Sequence, residues 1–342
     1  MGDPEAQLRA ATRQSGRTIS RMQTTRLYRD GHRVGGEHSL TNLAEHRASG
    51  DCTVWVDLTL DEEGALDELA SLLDLHQLAV EDARSHLERP RLARFDSHLL
   101  LTLSSSDCDE QGDVTISRLT AFILPGILIT VHEAGFPIES VAKRLDENEE
   151  LSAYRVPWLV WALLDVIVDS HTDSVERLDE VIEALSDGLF SERPDTSEVQ
   201  RRAFTLRRSV SKLRHATLPL KEVITLLIHQ GEEKVAPELH PYFADVGDHA
   251  ALAADWSETL ADHISTAIET SIALQGNRMN EIMKKVTGWA AIIAVPTAIT
   301  GFFGMNVDFP GHNEVEGLIA SVSLVIGSSV VLYIVFKRRD WL

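Results

Sequence analysis

Nine positions near the C-terminus, Gly276, Asn280, Met283, Thr287, Ala290, Ala294, Thr297, Gly301 and Gly304, step by three and four and so share one helix face. Apart from Met283 they are small or carry a hydroxyl or amide. Two chemistries fit such a face. Small residues let membrane helices approach closely, and the same groups suit a narrow hydrated lumen in which Met283 and Val286 form an apolar constriction. The spacing does not choose between them. Carried backward in sevens, the same phase meets Glu269, Asp262, Asp255 and Asp248. On an isolated helix four acids in line are an ordinary solvated face. On copies of the helix gathered round an axis they become rings of carboxylates, which repel unless a cation sits among them.

The elements that must position this face are two apolar runs. From Val286 to Phe336 the only charged residues are Asp308, Glu314 and Glu316, all in one short stretch. Either side of it lie Val286 to Asn306 and Gly317 to Phe336, each about 20 residues, the length that crosses roughly 30 Å of hydrocarbon. Arg278, Lys284 and Lys285 precede the first run, Lys337, Arg338 and Arg339 follow the second, and the loop between has no Lys or Arg. That asymmetry places both termini in the cytoplasm of a cell whose plasma (inner) membrane the chain crosses twice, with residues 308–316 outside. Two spans cannot enclose a pore, so a conducting reading requires a homo-oligomer in membrane lipid.

Upstream, the pattern divides the chain into a polar, disordered segment (1–21), a cytoplasmic α/β domain (22–135) and a helical region (136–240). A stalk helix running into the first span (241–307), the outer loop (308–316), the second span (317–336) and a basic tail (337–342) follow. Within the first domain the spacing predicts a hairpin around Asp30 and Gly31, a strand Thr53 to Leu58, and helices Glu63 to Leu73 and Gln77 to Leu87. Strands Arg94 to Leu103, Val114 to Leu124 and Gly126 to His132 follow, the last pair turning at Pro125-Gly126. Beyond it three long helices are expected: Pro157 to Leu189, Thr196 to Gln230, and one from about Pro241 that meets no breaker before Pro296. From Tyr242 to Phe303 that last helix would be on the order of 90 Å long.

The chain has 342 residues, with 32 Lys and Arg against 53 Asp and Glu, net −21. That balance excludes a phosphate-binding basic face, hence nucleic acid, and favours cations as small partners. Two cysteines, Cys52 and Cys108, make neither a disulfide scaffold nor a zinc cluster. The first thirty residues hold no apolar run of the kind a cleaved leader needs. Fourteen histidines are scattered without metal-ligand spacing, and only His312, beside the loop acids, invites a test. No P-loop, nucleophile elbow or metallohydrolase spacing is present, so no enzyme is expected.

The first span closes on Gly301-Phe302-Phe303-Gly304-Met305-Asn306, and a second span and a basic tail ending in Trp341 and Leu342 follow. In that placement the segment resembles the CorA family of divalent-cation transporters. Three other segments agree: His76 to Asp82 with Arg89-Pro90, Pro241 to His249, and Asn280 to Lys285. The resemblance runs from about Thr25 to the end. It implies an α+β cytoplasmic domain followed by a long stalk helix and two C-terminal transmembrane helices, assembled as a CorA-like homopentameric funnel. The implied function is passive, potential-driven uptake of Mg2+, with Co2+ or Ni2+ as further cargo, gated by intracellular divalents. Gly304, Met305 and Asn306 would be the selectivity filter. Glu269, Asn280, Met283, Val286, Thr287, Ala290, Ala294, Thr297 and Gly301 would line the pore. Asp82 and Asp245, on different subunits, would bridge a regulatory cation. The outer loop departs from the family's frequent Met-Pro-Glu-Leu but keeps Asp308, Glu314 and Glu316 for cation capture. Zn2+ is the alternative cargo, as in the ZntB-like branch, which often carries valine where Met305 stands. A membrane-anchored coiled-coil scaffold is the reading from another class.

Overall fold

The computed structural model describes residues 24–29, 32–34, 52–60, 64–85, 89–189, 196–230, 235–305 and 315–341. The chain forms two compact units, one of Met1–Glu192 with Arg201–Ser265, the other of Arg193–Gln200 with Thr266–Leu342.

The first unit is built on a seven-stranded sheet. Its strands are β1 (Thr24–Arg29), β2 (His32–Val34), β3 (Cys52–Thr59), β4 (Arg91–Arg94), β5 (Leu99–Cys108), β6 (Val114–Leu124) and β7 (Ile127–His132), in the order β2-β1-β3-β7-β6-β5-β4. β3 and β7 pair in parallel, and the other ladders are antiparallel. Alternation along the strands sends successive side chains to opposite faces. Val54, Val56, Ile127 and Ile129 pack with Leu66, Leu69, Leu73, Ala79 and Ala83 from helices α1 (Ala65–Leu73) and α2 (Gln77–Arg84). Trp55, Leu101, Leu119 and Leu128 point the other way, into a core shared with α3 (Ile138–Glu147) and α4 (Val156–Leu189). Both faces are therefore covered, which is why β7 reads as a near-continuous apolar run and why β5 is buried at every residue but Asp107.

The predicted hairpin is present, with Arg29 opposite His32; Asp30 and Gly31 themselves lie outside the described residues. Gly126 turns β6 into β7 at φ +74°, a conformation that glycine after proline supplies without strain. The expected strand Arg94 to Leu103 is instead a hairpin: β4 ends at Arg94, Phe95 N donates to His98 O at 2.9 Å, and β5 starts at Leu99. Asp96 and Ser97, both turn formers, make that reversal. The expected helix Thr196 to Gln230 is split into α5 (Thr196–Thr217) and α6 (Leu220–Gln230). Pro219 lacks the N–H that would continue the ladder, and its ring clashes with the carbonyl four residues back.

Helix α7 (His240–Phe303) is unbroken for 64 residues with Pro296 inside it, and α8 (Val315–Arg338) follows. In the first unit α7 buries Phe243, Val246, Ala250, Ala253, Leu260 and Ile264, a stripe at helical spacing. The second unit holds the remainder of α7 and all of α8, both long and apolar enough to cross a membrane. No residue of α8 is buried.

Candidate ion pathway

The small-residue stripe lies on continuous α-helix, so its three- and four-residue steps do align on one face. Asn280, Met283, Val286, Thr287, Ala290, Ala294, Thr297 and Gly301 are all exposed in the single chain, as are Gly304 and Met305. Glu269 is exposed too, and so are Asp248, Asp255 and Asp262 below it. A run this apolar is not stable with its surface in water, and its faces call for lipid or further copies of the chain.

The hydroxyls on α7 are partly committed. Thr297 Oγ1 donates to Ile293 O at 2.7 Å, and Thr300 Oγ1 lies 3.0 Å from both Pro296 O and Thr297 O. The Thr297 proton is thus spent on the backbone. What the side chain still offers outward is oxygen lone pairs, the feature a cation or its bound water uses.

The helix ends in a tight turn: Gly304 N donates to Thr300 O at 2.9 Å and Met305 N to Phe302 O at 3.2 Å. A Cβ on Gly304 would lie 3.1 Å from the Thr300 carbonyl oxygen, whereas one on Gly301 would meet nothing within 4 Å. Glycine at 304 therefore serves the turn, and glycine at 301 leaves an open backbone surface. Asn306, Asp308, His312 and Glu314 lie outside the described residues. Glu316 is exposed in the first turn of α8, where an acid suits the helix dipole.

Asp82 and Asp245 are not joined within one chain. Asp82, in the last turn of α2, accepts a hydrogen bond from Arg91 Nη2 at 2.6 Å. Asp245, in the second turn of α7, has His249 at 3.7 Å, four residues on. Their side chains are 25% and 67% exposed. Both present accessible carboxylate oxygens, the hard donors that Mg2+ prefers. Among the described residues no three His, Cys, Asp or Glu side chains converge to hold a metal.

Two features escaped the sequence reading. One is Arg91, whose link to Asp82 spans nine positions and depends on how α2 and β4 are set side by side. The other is the tail: Trp341 N donates to Phe336 O at 3.0 Å and its ring stacks on Phe336. Trp341 borders an open cleft of about 550 Å³ lined also by Asn277, Asn280, Glu281, Met283, Lys284 and Thr287. The Phe336-Lys-Arg-Arg-Asp-Trp spacing carries that signal, since an aromatic pair five residues apart brackets the end of the helix. The cleft brings the basic end of α8 to the same level as Lys284 on α7.

A buried Ser106–His171 pair invites comparison with a nucleophile and base, with Ser106 Oγ 2.8 Å from His171 Nδ1. Burial pushes the His171 pKa down to about 4, so it is a poor proton acceptor near neutral pH. Ser106 is shared with Ser170 and Ser174, which ties β5 to α4.

Comparison with known proteins bears on the whole chain. Residues 50–338 match the family model described as CorA-like Mg2+ transporter protein. A relative from Thermotoga maritima, named cobalt/magnesium transport protein CorA, is 27% identical over 293 residues, covering 84% of this chain and 83% of that one. In structure, the complete CorA magnesium transporter from Methanocaldococcus jannaschii superposes with a TM-score of 0.75 at 20% identity, over 95% of this chain and all of that one. The ZntB cytoplasmic domain from Vibrio parahaemolyticus is more distant, with a TM-score of 0.51 at 10% identity over 66% of this chain and 88% of that one. An α/β domain, one very long helix running into an apolar span, a second apolar helix and a family match across 50–338 agree: the chain belongs to the CorA family of Mg2+ transporters.

Proposed function

We propose that the protein is a divalent-cation channel of the plasma (inner) membrane, a homopentamer that admits Mg2+ down the membrane potential and takes Co2+ or Ni2+ as further cargo. The observation that carries this reading is the tripeptide Gly304-Met305-Asn306, which follows in sequence on a helix whose small-residue face is exposed in the single chain and is bordered by Trp341 only beside Asn280, Met283 and Thr287. Five copies of α7 round an axis would turn that face inward and leave α8 to the lipid. Asn306 then forms an outer ring of amide oxygens. Mg2+ sheds water reluctantly, and carbonyl oxygens accept hydrogen bonds from its hydration shell rather than replacing it. Gly301 and Gly304 admit backbone to the axis, Thr297 and Asn280 give polar rings, Met283 and Val286 an apolar gate, and Glu269 an acidic ring below. Asp308, Glu314 and Glu316 raise the cation concentration at the outer mouth.

A negative interior drives entry, at about 2.3 kcal/mol per 100 mV for each elementary charge and twice that for a divalent. Gating follows from Asp82 of one subunit and Asp245 of the next. With a cation between them the cytoplasmic ring is held, and without it carboxylate repulsion loosens the ring. Met305, where the zinc branch often has valine, favours magnesium over zinc.

The test is flux through purified protein in liposomes with an imposed inside-negative potential. Asn306→Ala is expected to lower Mg2+ flux at least tenfold or to admit Ca2+ and monovalent ions. Unchanged flux and selectivity would remove Asn306 from the filter. Zn2+ flux that exceeds Mg2+ flux and responds to a pH gradient would favour the alternative cargo.

A further inference from the structure

Asp82 already has a cationic partner in its own chain. Its Oδ2 accepts from Arg91 Nη2 at 2.6 Å, and the two side chains are 25% and 43% exposed. Regular structure holds both ends of this pair. Asp82 stands in α2, capped where Ser85 N donates to the Asp82 carbonyl, and Arg91 opens β4, paired through the ladder with Thr102 of β5. Pro90, buried just before it, fixes the backbone from which Arg91 reaches. The guanidinium stays charged at every physiological pH, so no proton transfer releases the carboxylate.

A divalent ion that approaches Asp82 therefore meets a fixed positive charge hydrogen-bonded to one of the two carboxylate oxygens. To bind, it must share the carboxylate with a charge-assisted hydrogen bond or displace it, and in either case overcome the repulsion of the guanidinium beside it. Resting on the reading that Asp82 holds the regulatory ion, we propose that Arg91 sets the threshold of that site. In the ion-free state it is the counter-ion of Asp82, and the divalent cation competes with it. Arg91 also blunts the carboxylate repulsion that loosens the ion-free ring. It is a positioning residue, acting through Asp82 and touching neither pore nor cargo.

The experiment is limited proteolysis of the α7 stalk in the full-length, detergent-solubilised oligomer, titrated with Mg2+. Arg91→Gln is expected to lower the Mg2+ concentration at half-protection about fivefold, the worth of a partly exposed ion pair. Arg91→Lys, which keeps the charge, should stay within about twofold of the parent chain on the same argument. Arg91→Ala serves as a second neutral variant if Arg91→Gln fails to assemble. A midpoint that is unchanged or raised in the neutral variants overturns the proposal. Asp82→Ala separates the two levels. If that variant leaves the protection curve unchanged, the assignment of Asp82 to the ion fails. If it abolishes Mg2+ dependence while Arg91→Gln leaves the midpoint in place, only the role of Arg91 fails.

Discussion

His171 sits where a proton is costly. It is 1% exposed on α4, and its pKa is pushed from 6.5 down to about 4 by burial away from water. An unfolded chain takes up that proton as pH falls through 6.5, while the folded chain resists until about 4. The group's contribution is therefore present above 6.5 and is lost progressively on the way to 4, to a total on the order of 3 kcal/mol. His98, also pushed down mainly by burial, acts with the same sign. The thermal midpoint should fall between pH 7 and pH 5, and His171→Asn should flatten that slope even if it lowers the midpoint at pH 7. A slope identical in both chains would refute the assignment. Residues of this kind are hidden in a sequence: fourteen histidines read alike until the fold decides which lose their water. The Asp82–Arg91 pair was equally hidden, because it is made by the packing of a helix against an edge strand.

Two prolines in long helical patterns behave differently, and the surroundings explain why. At Pro219 the chain leaves the helix for two residues and restarts as α6, with Leu218 N still reaching Arg214 O. At Pro296 the helix continues to Phe303. In an apolar span an open break would leave several carbonyls without a partner, so the ladder resumes at once around the single carbonyl, that of Ile292, whose donor Pro296 lacks. The pattern of apolar residues gave both helical stretches, and it could not say which proline would break one. A turn shows the same dependence on context. Gly112 sits at φ +82° in the β5–β6 hairpin, where Asp109 Oδ1 accepts from Gln111 N at 2.9 Å and Asp113 N at 2.8 Å. A Cβ there would lie 2.4 Å from Leu206 Cδ2 of α5 and 3.1 Å from Val181 Cγ1 of α4. Gly112→Ala thus combines left-handed strain with overpacking and should cost about 2 kcal/mol, lowering the thermal midpoint of the purified protein by several degrees. Gly64→Ala, also at positive φ but with nothing within 4 Å, carries strain alone and should cost less. Equal losses in the two variants would mean that the α5 and α4 contacts do not matter.

At the scale of the whole molecule the charge is not spread evenly. Residues 286–336 carry −3 and the tail 337–342 carries +2, so the remaining chain carries −20 of the −21. Span lengths and basic flanks were legible because hydrocarbon thickness and loop charge impose them on the sequence. The expectation of a pentamer comes from the family resemblance alone, since one chain's periodicity does not distinguish a face that meets lipid from one that meets a neighbour or an axis. The acids of α7 separate these possibilities. Asp255, in the first unit, and Glu269, in the second, are both exposed. If they face a common axis, five copies stack carboxylate rings along the cytoplasmic route, and local Mg2+ is concentrated there by a field that salt screens over about 10 Å at 0.1 M ionic strength. Replacing both, Asp255→Asn with Glu269→Gln, should then lower Mg2+ flux roughly tenfold at 20 mM salt, the low end of electrostatic focusing, and much less at about 300 mM. On an outward face the same substitutions remove only surface charge, and flux would be indifferent to them at either ionic strength. Glu281, exposed on the same helix two residues before Met283 and so turned away from that line, supplies the control. Glu281→Gln removes one negative charge from the same helix on its other side, so a salt-dependent loss confined to the Asp255 and Glu269 variant would place that line, and with it the small-residue face above, on the ion path.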